Sequence, residues 1–190
     1  MASWLIAGLG NPGSQYEHTR HNVGFWWLDQ LAESLASTFN VENKFHGQLA
    51  QPHLVQHKLF LLKPLLFMNR SGQSVAALAH FYKIPPSNII VVHDELDLPT
   101  GTARFKRGGG HGGHNGLRDI IDRTGSKDFL RCRLGIDHPG NSRQVSGYVL
   151  SKPSQDDRLA IQTAIDNSLR ALPDVISGDL DKAMNWLHSQ

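Results

Sequence analysis

A single cysteine, Cys132, is all the thiol chemistry that the 190 residues carry. No internal disulfide can form, and an unpaired thiol suits a reducing compartment, so the cytoplasm is the expected setting. Long apolar runs are also missing. The longest covers five residues, Val75 to Ala79, far short of the roughly 20 needed to cross a bilayer. No membrane partner is expected. The N-terminus, Met1-Ala2-Ser3-Trp4, has no basic stretch leading into an apolar one, which argues against a secretory signal. No repeat, low-complexity tract or Pro/Gly/Ser linker divides the chain, apart from the glycine cluster at Gly108 to Gly116. Charged residues make up 19% and hydrophobic ones 39%, which is globular composition rather than disorder. The expectation is one domain over residues 1–190, long enough to bury roughly 70% of its unfolded surface without disulfides or a structural metal.

Apolar runs of strand length occur at Trp4–Leu9, Lys58–Leu62, Asn88–Val92 and Leu130–Ile136. Weaker alternation at Phe45–Ala50 and Gln144–Leu150 predicts edge or antiparallel strands. Helical patterns lie between them. Asn22 is placed to cap a helix over Val23 to about Ala36, with a stripe through Val23, Trp27, Leu31 and Leu35. Ser71 is placed to cap a second helix through Val75, Leu78, Ala79 and Tyr82, ending before Pro85-Pro86. Asn115 is placed to cap Gly116–Thr124, with Gly125 as the stop. Ser154-x-x-Asp157 has the form of a capping box for a helix to about Leu172, and a last amphipathic stretch covers Asp179 to Leu187. Strands interleaved with helices predict an α/β domain with a mixed, largely parallel twisted sheet flanked by helices.

The net charge of +2 is unevenly spread. Between Gly101 and Arg143 nine Lys and Arg face four Asp, an excess of five, while the rest of the chain carries −3. Such asymmetry suits a polyanion meeting one face, or simply a solvated basic surface. The first strand runs into Gly8-Leu9-Gly10-Asn11-Pro12-Gly13, formally G-x-G-x-x-G. Dinucleotide binding needs a helix opening at once onto a pyrophosphate, but Pro12 removes an amide and the helical pattern starts only after Asn22. The segment reads better as a tight turn at the C-terminal edge of the sheet, where ligands collect in open α/β folds and where Asn11 would expose its amide.

His18 and His21 form half of a metal site at most. Alternatively His21, at the mouth of a helix, is a general base, since imidazole takes a proton from water at neutral pH once a carboxylate fixes its tautomer. Ile89–Val92 leads straight into His93-Asp94-Glu95-Leu96-Asp97, which places acids at the same sheet edge. One of them can support His21; Asp94, Glu95 and Asp97 together can bind Mg²⁺ as in a nuclease. Asn69 is either a turn residue or a neutral amide beside a developing oxyanion. The glycine-rich Lys106–Gly116 segment permits close backbone approach or a mobile loop, with Lys106 a natural phosphate contact. His111 and His114 lack a rigid partner set for a metal. In Leu130–Ile136, Leu130, Cys132 and Leu134 share one face and Arg131 and Arg133 the other. Cys132 therefore reads as core, and the arginines as phosphate grips or a solvated face. No G-x-S-x-G elbow occurs, which removes a serine acyl-enzyme of the α/β-hydrolase kind.

Five segments taken together resemble the bacterial-type peptidyl-tRNA hydrolase family: G-L-G-N-P-G-x-x-Y-x-x-T-R-H-N (8–22), F-M-N-x-S-G (67–72), H-D-E-L-D-L-P-x-G (93–101), K-x-G-G-G-H-G-G-H-N-G-L (106–117) and R-L-G-I-x-H-P-G (133–140). They lie in order over most of the chain. The resemblance implies hydrolysis of the ester joining a peptide to the 3′-terminal ribose of tRNA, by a monomer needing neither metal nor cofactor. By position, it implies His21 as catalytic base, Asp94 as its orienting carboxylate, and Asn11 and Asn69 as amides holding the substrate's terminal nucleotide and carbonyl. Asn115 corresponds to an amide positioning peptide backbone or water, Tyr16 and Met68 to cleft walls, and Lys106 and Arg133 to a clamp on tRNA phosphates. His114 lies close to the site in relatives. A metal-dependent hydrolase built on Asp94, Glu95 and Asp97, or a non-catalytic RNA-binding module, are the alternatives that the residues themselves leave standing.

Overall fold

A computed structural model describes residues 2–190. Seven strands alternate with six helices: β1 (Ala2–Gly8), α1 (Val23–Ser34), β2 (Asn40–Glu42), β3 (Gly47–Ala50), β4 (His57–Pro64), α2 (Ser71–Phe81), β5 (Ile89–Glu95), β6 (Ala103–Arg107), α3 (Asn115–Thr124), β7 (Leu130–Gly135), α4 (Val145–Val149), α5 (Gln155–Ile176) and α6 (Leu180–Leu187). One sheet holds all seven strands in the order β2-β3-β4-β1-β5-β7-β6. Its middle, β4-β1-β5-β7, is parallel. The pairs at either side, β2-β3-β4 and β7-β6, are antiparallel. The fold is therefore the mixed, largely parallel α/β domain that the sequence predicts.

The central strands are apolar because both their faces are covered. Trp4, Ile6, Ile90 and Cys132 point into a core shared with α1, α5 and α6, among them Trp27, Ile161, Leu172 and Ala183. Leu5, Ala7, Val91 and Phe129 belong to the opposite core, with Val75 and Leu78 of α2 and Leu117 and Ile120 of α3. Trp27 Nε1 donates to Ser168 Oγ at 2.8 Å, tying α1 to α5 across the first core. The start of α1 lies against the ends of β1 and β5 with no side chain between: a Cβ on Gly24 would sit 2.5 Å from both Leu9 N and Val92 O. Only glycine permits that approach, and it fixes where the residues just before α1 enter the site.

Several local expectations change on contact with tertiary structure. Asn22 stands at the N-cap of α1 without a capping bond. Its amide instead makes two bonds to the backbone of Asn11. Ser71 is the first residue of α2 rather than its cap, and its hydroxyl donates to Met68 O at 2.8 Å. The cap of α3 is His114, not Asn115; its ring accepts from the Gly116 and Leu117 amides. Gly125, in the left-handed region at φ 72°, does end that helix. Ser154 caps α5 as expected, but the helix runs past Leu172 to Ile176 with Pro173 inside it. Residues 144–150 are a tight turn and the short helix α4, not a strand. The edge strands β2 and β6 have no counterpart in the apolar pattern.

Candidate active site

Loops leaving the C-terminal ends of β1, β4 and β5 converge with the N-terminus of α3 and with α4 on a cleft of about 520 Å³. This is where the strand order reverses direction around β1, the position at which open parallel sheets hold ligands. Asn11, Tyr16, His21, Met68, Asn69, Asp94, His114 and Asn115 all line it. Lys106 and Arg133 do not. They sit on β6 and β7, toward one edge of the sheet.

Asp94 is 3% exposed and binds two imidazoles at once. His21 Nδ1 lies 2.8 Å from its Oδ2, and His114 Nε2 lies 2.8 Å from its Oδ1. The tautomers follow from the remaining partners. His114 Nδ1 accepts from the amides of Gly116 at 3.1 Å and Leu117 at 3.3 Å, so the proton of that ring is on Nε2 and is donated to Asp94. His21 donates from Nδ1, which leaves Nε2 bare on the cleft side. Burial alone would push the His21 pKa down from 6.5; the negative charge of Asp94 and its hydrogen bond outweigh that and raise it. Burial likewise favours a neutral Asp94, but His21 and His114 overcome it and hold the carboxyl well below the usual carboxylate range. His93, on the same strand, donates from Nδ1 to Asp94 O at 2.8 Å. Burial and the nearby His114 depress its pKa to about 3, so His93 stays neutral.

The amides are held just as firmly. The Asn11 backbone N–H donates to Asn22 Oδ1 and its C=O accepts from Asn22 Nδ2, both at 2.9 Å. Its own Oδ1 accepts from Met68 N at 2.7 Å, so Nδ2 is the free donor at the cleft wall. Asn69 is exposed in the tight turn that leads into α2. Tyr16 and Phe67 meet edge to face, ring centres 6.2 Å apart. Met68 is buried, and a Cβ on Gly116 would come within 2.7 Å of its sulfur.

Two arginines brace the site from outside, and sequence patterning gives each the wrong surroundings or none. Arg131 is 2% exposed rather than on an open face. Its guanidinium gathers the carbonyls of Gly108 at 2.5 Å, Gly110 at 3.0 Å and Gly109 at 2.7 Å, and lies 4.5 Å over the Phe129 ring. Arg20, adjacent to His21, is also buried, though less completely. Its guanidinium stacks 4.1 Å from the Tyr148 ring and bonds the Tyr148 carbonyl and the Ser151 hydroxyl, fastening the α4 wall of the cleft to the His21 segment. The signal available for Arg20 was its place beside a candidate base. Nothing in the sequence marks Tyr148 as its partner. Arg133 is paired with Glu95, Nε to Oε1 at 2.9 Å.

Burial pushes the Cys132 thiol up to about 12, as a core residue rather than a nucleophile. Among the described residues, His21, Asp94 and His114 form the one cluster whose ligating atoms lie within 4.8 Å of each other. Glu95, Asp97, His18 and His111 are not in it, so the acid-cluster arrangement weighed from sequence does not assemble. Nor does the cluster suit a metal ion. Its nitrogen–oxygen separations of 2.8 Å are those of hydrogen bonds in which each ring N–H donates to Asp94, whereas an ion needs a free lone pair from each ligand. His114 has already committed Nδ1 to two amides.

Fold and site together define a hydrolytic enzyme, with no helix among the described residues long and apolar enough to cross a membrane. The peptidyl-tRNA hydrolase family model matches residues 5–190. The chain belongs to that family. It is 58% identical to the peptidyl-tRNA hydrolase of Coxiella burnetii (strain RSA 331) over 185 residues, 97% of each protein. It is 54% identical to that of Neisseria meningitidis serogroup C over 186 residues, 98% of this chain and 97% of the relative. The crystal structure of peptidyl-tRNA hydrolase from Acinetobacter baumannii superimposes with a TM-score of 0.94 at 46% identity, over 97% of this chain and 93% of that one.

Proposed function

We propose that this chain hydrolyses the ester between a peptide and the 3′-terminal ribose of tRNA, using water activated by His21. The observation that carries the proposal is the His21 ring, its Nδ1 committed to Asp94, standing in a cleft lined by Asn11, Asn69 and Asn115. His21 Nε2 takes a proton from water as the oxygen attacks the ester carbonyl carbon. The Nδ2 groups of Asn11 and Asn69 donate to the carbonyl oxygen as it gains charge and to the terminal nucleotide. The tetrahedral intermediate collapses, the carbon–ribose oxygen bond breaks, and the 3′-oxygen leaves as a hydroxyl with the proton from His21. Asn115 positions the peptide backbone or the water, and Tyr16 and Met68 wall the cleft. His114 supports Asp94 from the α3 side. No metal or other cofactor takes part, and the enzyme works as a cytoplasmic monomer.

The test is release of N-acetyl-amino acid from tRNA by the purified protein, with and without EDTA. Undiminished turnover in chelator is expected. Loss that Mg²⁺ or Zn²⁺ restores would overturn the mechanism, and tight binding without cleavage would overturn the enzyme reading. The pH profile gives an independent check. The base must be unprotonated, so kcat/KM rises with pH through the pKa of His21. That pKa is raised, so the acid limb falls above pH 6.5. A limb below that value contradicts the Asp94 pairing.

Lys106 and Arg133 serve phosphates of the tRNA, which bind through charge and backbone shape rather than base edges. Lys106→Ala is expected to weaken tRNA binding and to reduce its log–log salt slope by about one, with small ester substrates unaffected. An equal loss on small esters would remove Lys106 from the clamp.

A further inference from the structure

The strand that carries Lys106 is the outermost of the sheet, paired with β7 on one side only. Its outer edge is closed from the end of α6. His188, the residue that follows that helix, accepts the Phe105 backbone N–H at Nε2 over 3.2 Å. On the reading of Lys106 as a phosphate contact given above, we infer that His188 is a positioning residue for tRNA binding. It closes the free edge of β6 and so holds Lys106 in place beside β7.

β6 needs such a hold. Antiparallel pairing sets Arg104 directly opposite Arg133 and Lys106 directly opposite Arg131. Alternation along the strands puts all four side chains on one face, since Phe105, Cys132 and Leu134 fill the core on the other. Like charges facing each other across a strand pair weaken it. Among the described residues Glu95 is the one carboxylate paired with any of the four, at 2.9 Å from Arg133. A polyanion on that face offsets the repulsion once it has bound. Before then the edge strand depends on other contacts to stay in register.

His188 suits that task. Phe105 faces Cys132 in the pair and turns its N–H outward, where an edge strand otherwise presents an unmatched donor. The side chain of Phe105 is buried in the core, so a bond to its N–H fixes the backbone between Arg104 and Lys106 from the remaining side. A ring that accepts this bond carries no proton at Nε2. Burial, Arg104 and Arg133 all press the His188 pKa below 6.5, so at neutral pH the ring is uncharged and adds no fifth cation. From α5, only the uncharged Thr163 and Asn167 border the small hollow of about 110 Å³ beside it. Leu187, one residue earlier, is buried in the core and anchors the end of α6 by itself. The His188 bond is therefore spare for holding the helix and specific for holding the strand.

The experiment compares wild-type protein with His188→Ala, His188→Gln, Lys106→Ala and the His188→Ala/Lys106→Ala pair. Each is assayed on N-acetyl-aminoacyl-tRNA and on a small N-acetyl-amino acid ester, and exchange of the Phe105 amide is followed by NMR. His188→Ala is expected to raise KM for the tRNA substrate about fivefold, the worth of one hydrogen bond of ordinary net strength, with kcat and the small ester unaffected. Its Phe105 amide should exchange about tenfold faster. His188→Gln, whose Oε1 takes the place of Nε2 as acceptor, should restore both. Once Lys106 is removed, His188→Ala should add nothing further to KM, because it acts through that residue. An unchanged KM in His188→Ala, a loss shared equally by the small ester, or no recovery in His188→Gln overturns the inference alone. Rapid exchange of the Phe105 amide in the wild type does so without any variant, and so stands even if the alanine variant fails to fold. Lys106→Ala with undiminished tRNA binding overturns the clamp reading and takes this inference with it.

Discussion

His21→Ala is expected to reduce the single-turnover rate of ester cleavage by about 10³-fold, within the 10²–10⁴ range that a positioned base supplies. Affinity for tRNA should stay nearly constant, because phosphate contacts dominate it and His21 is a small neutral part of the cleft. The split between rate and binding is the informative result. The fold should survive the truncation, since the one hydrogen bond of the ring is to Asp94, which keeps its second bond to His114. Retained turnover in this variant would reject His21 as the base.

Asp94→Asn should be nearly as damaging, by a different route. The carboxylate accepts one N–H from each of two rings, at 2.8 Å on either oxygen. An asparagine offers a single acceptor there, so its amide hydrogens confront one of the two imidazole donors. His114 cannot turn to relieve the clash without surrendering the Gly116 and Leu117 amides. A buried donor left unmatched costs roughly 1–3 kcal/mol, so thermal stability falls as well. The rate should drop about 10²–10³-fold through loss of the correct His21 tautomer and of charge support for the imidazolium. The acid limb of whatever activity survives should move to lower pH, because burial then acts on His21 without an opposing anion. An unmoved limb would show that Asp94 does not tune His21.

How far the sequence carried this picture depends on whether a residue's partners are near it along the chain. The strands β1, β5 and β7 and the end of α3 at Gly125 are legible because both faces of a central strand and a glycine stop leave local marks. The edge strand β6 is not, because its outer residues Lys106 and Arg107 are polar and exposed. The stretch at 144–150 alternates like a strand, yet it folds as α4, anchored by Tyr148 to Arg20, 128 residues away. Asn22 illustrates the same limit within the site. Local chemistry makes it a helix cap, but the Asn11 backbone, 11 residues earlier, takes both ends of its amide. Of the site, the residues expected at the cleft all line it. What could not be read is which of them hold one another: that His114 caps α3 while gripping Asp94, and that Arg133 is tied to Glu95.

The guanidinium of Arg131 closes the base of the glycine arc by collecting three successive carbonyls, and the His114 cap closes its other end. Between those two anchors only the crown, residues 111–113, is left to its own bonds, the Gly113 amide donating to His111 Nδ1 at 2.9 Å. Docking a substrate under it would then immobilise about three residues, on the order of 3–6 kcal/mol of backbone entropy, rather than a nine-residue strip. Removing the first anchor with Arg131→Met would leave the catalytic side chains in place and yet lengthen the unanchored piece, raising KM for every substrate alike.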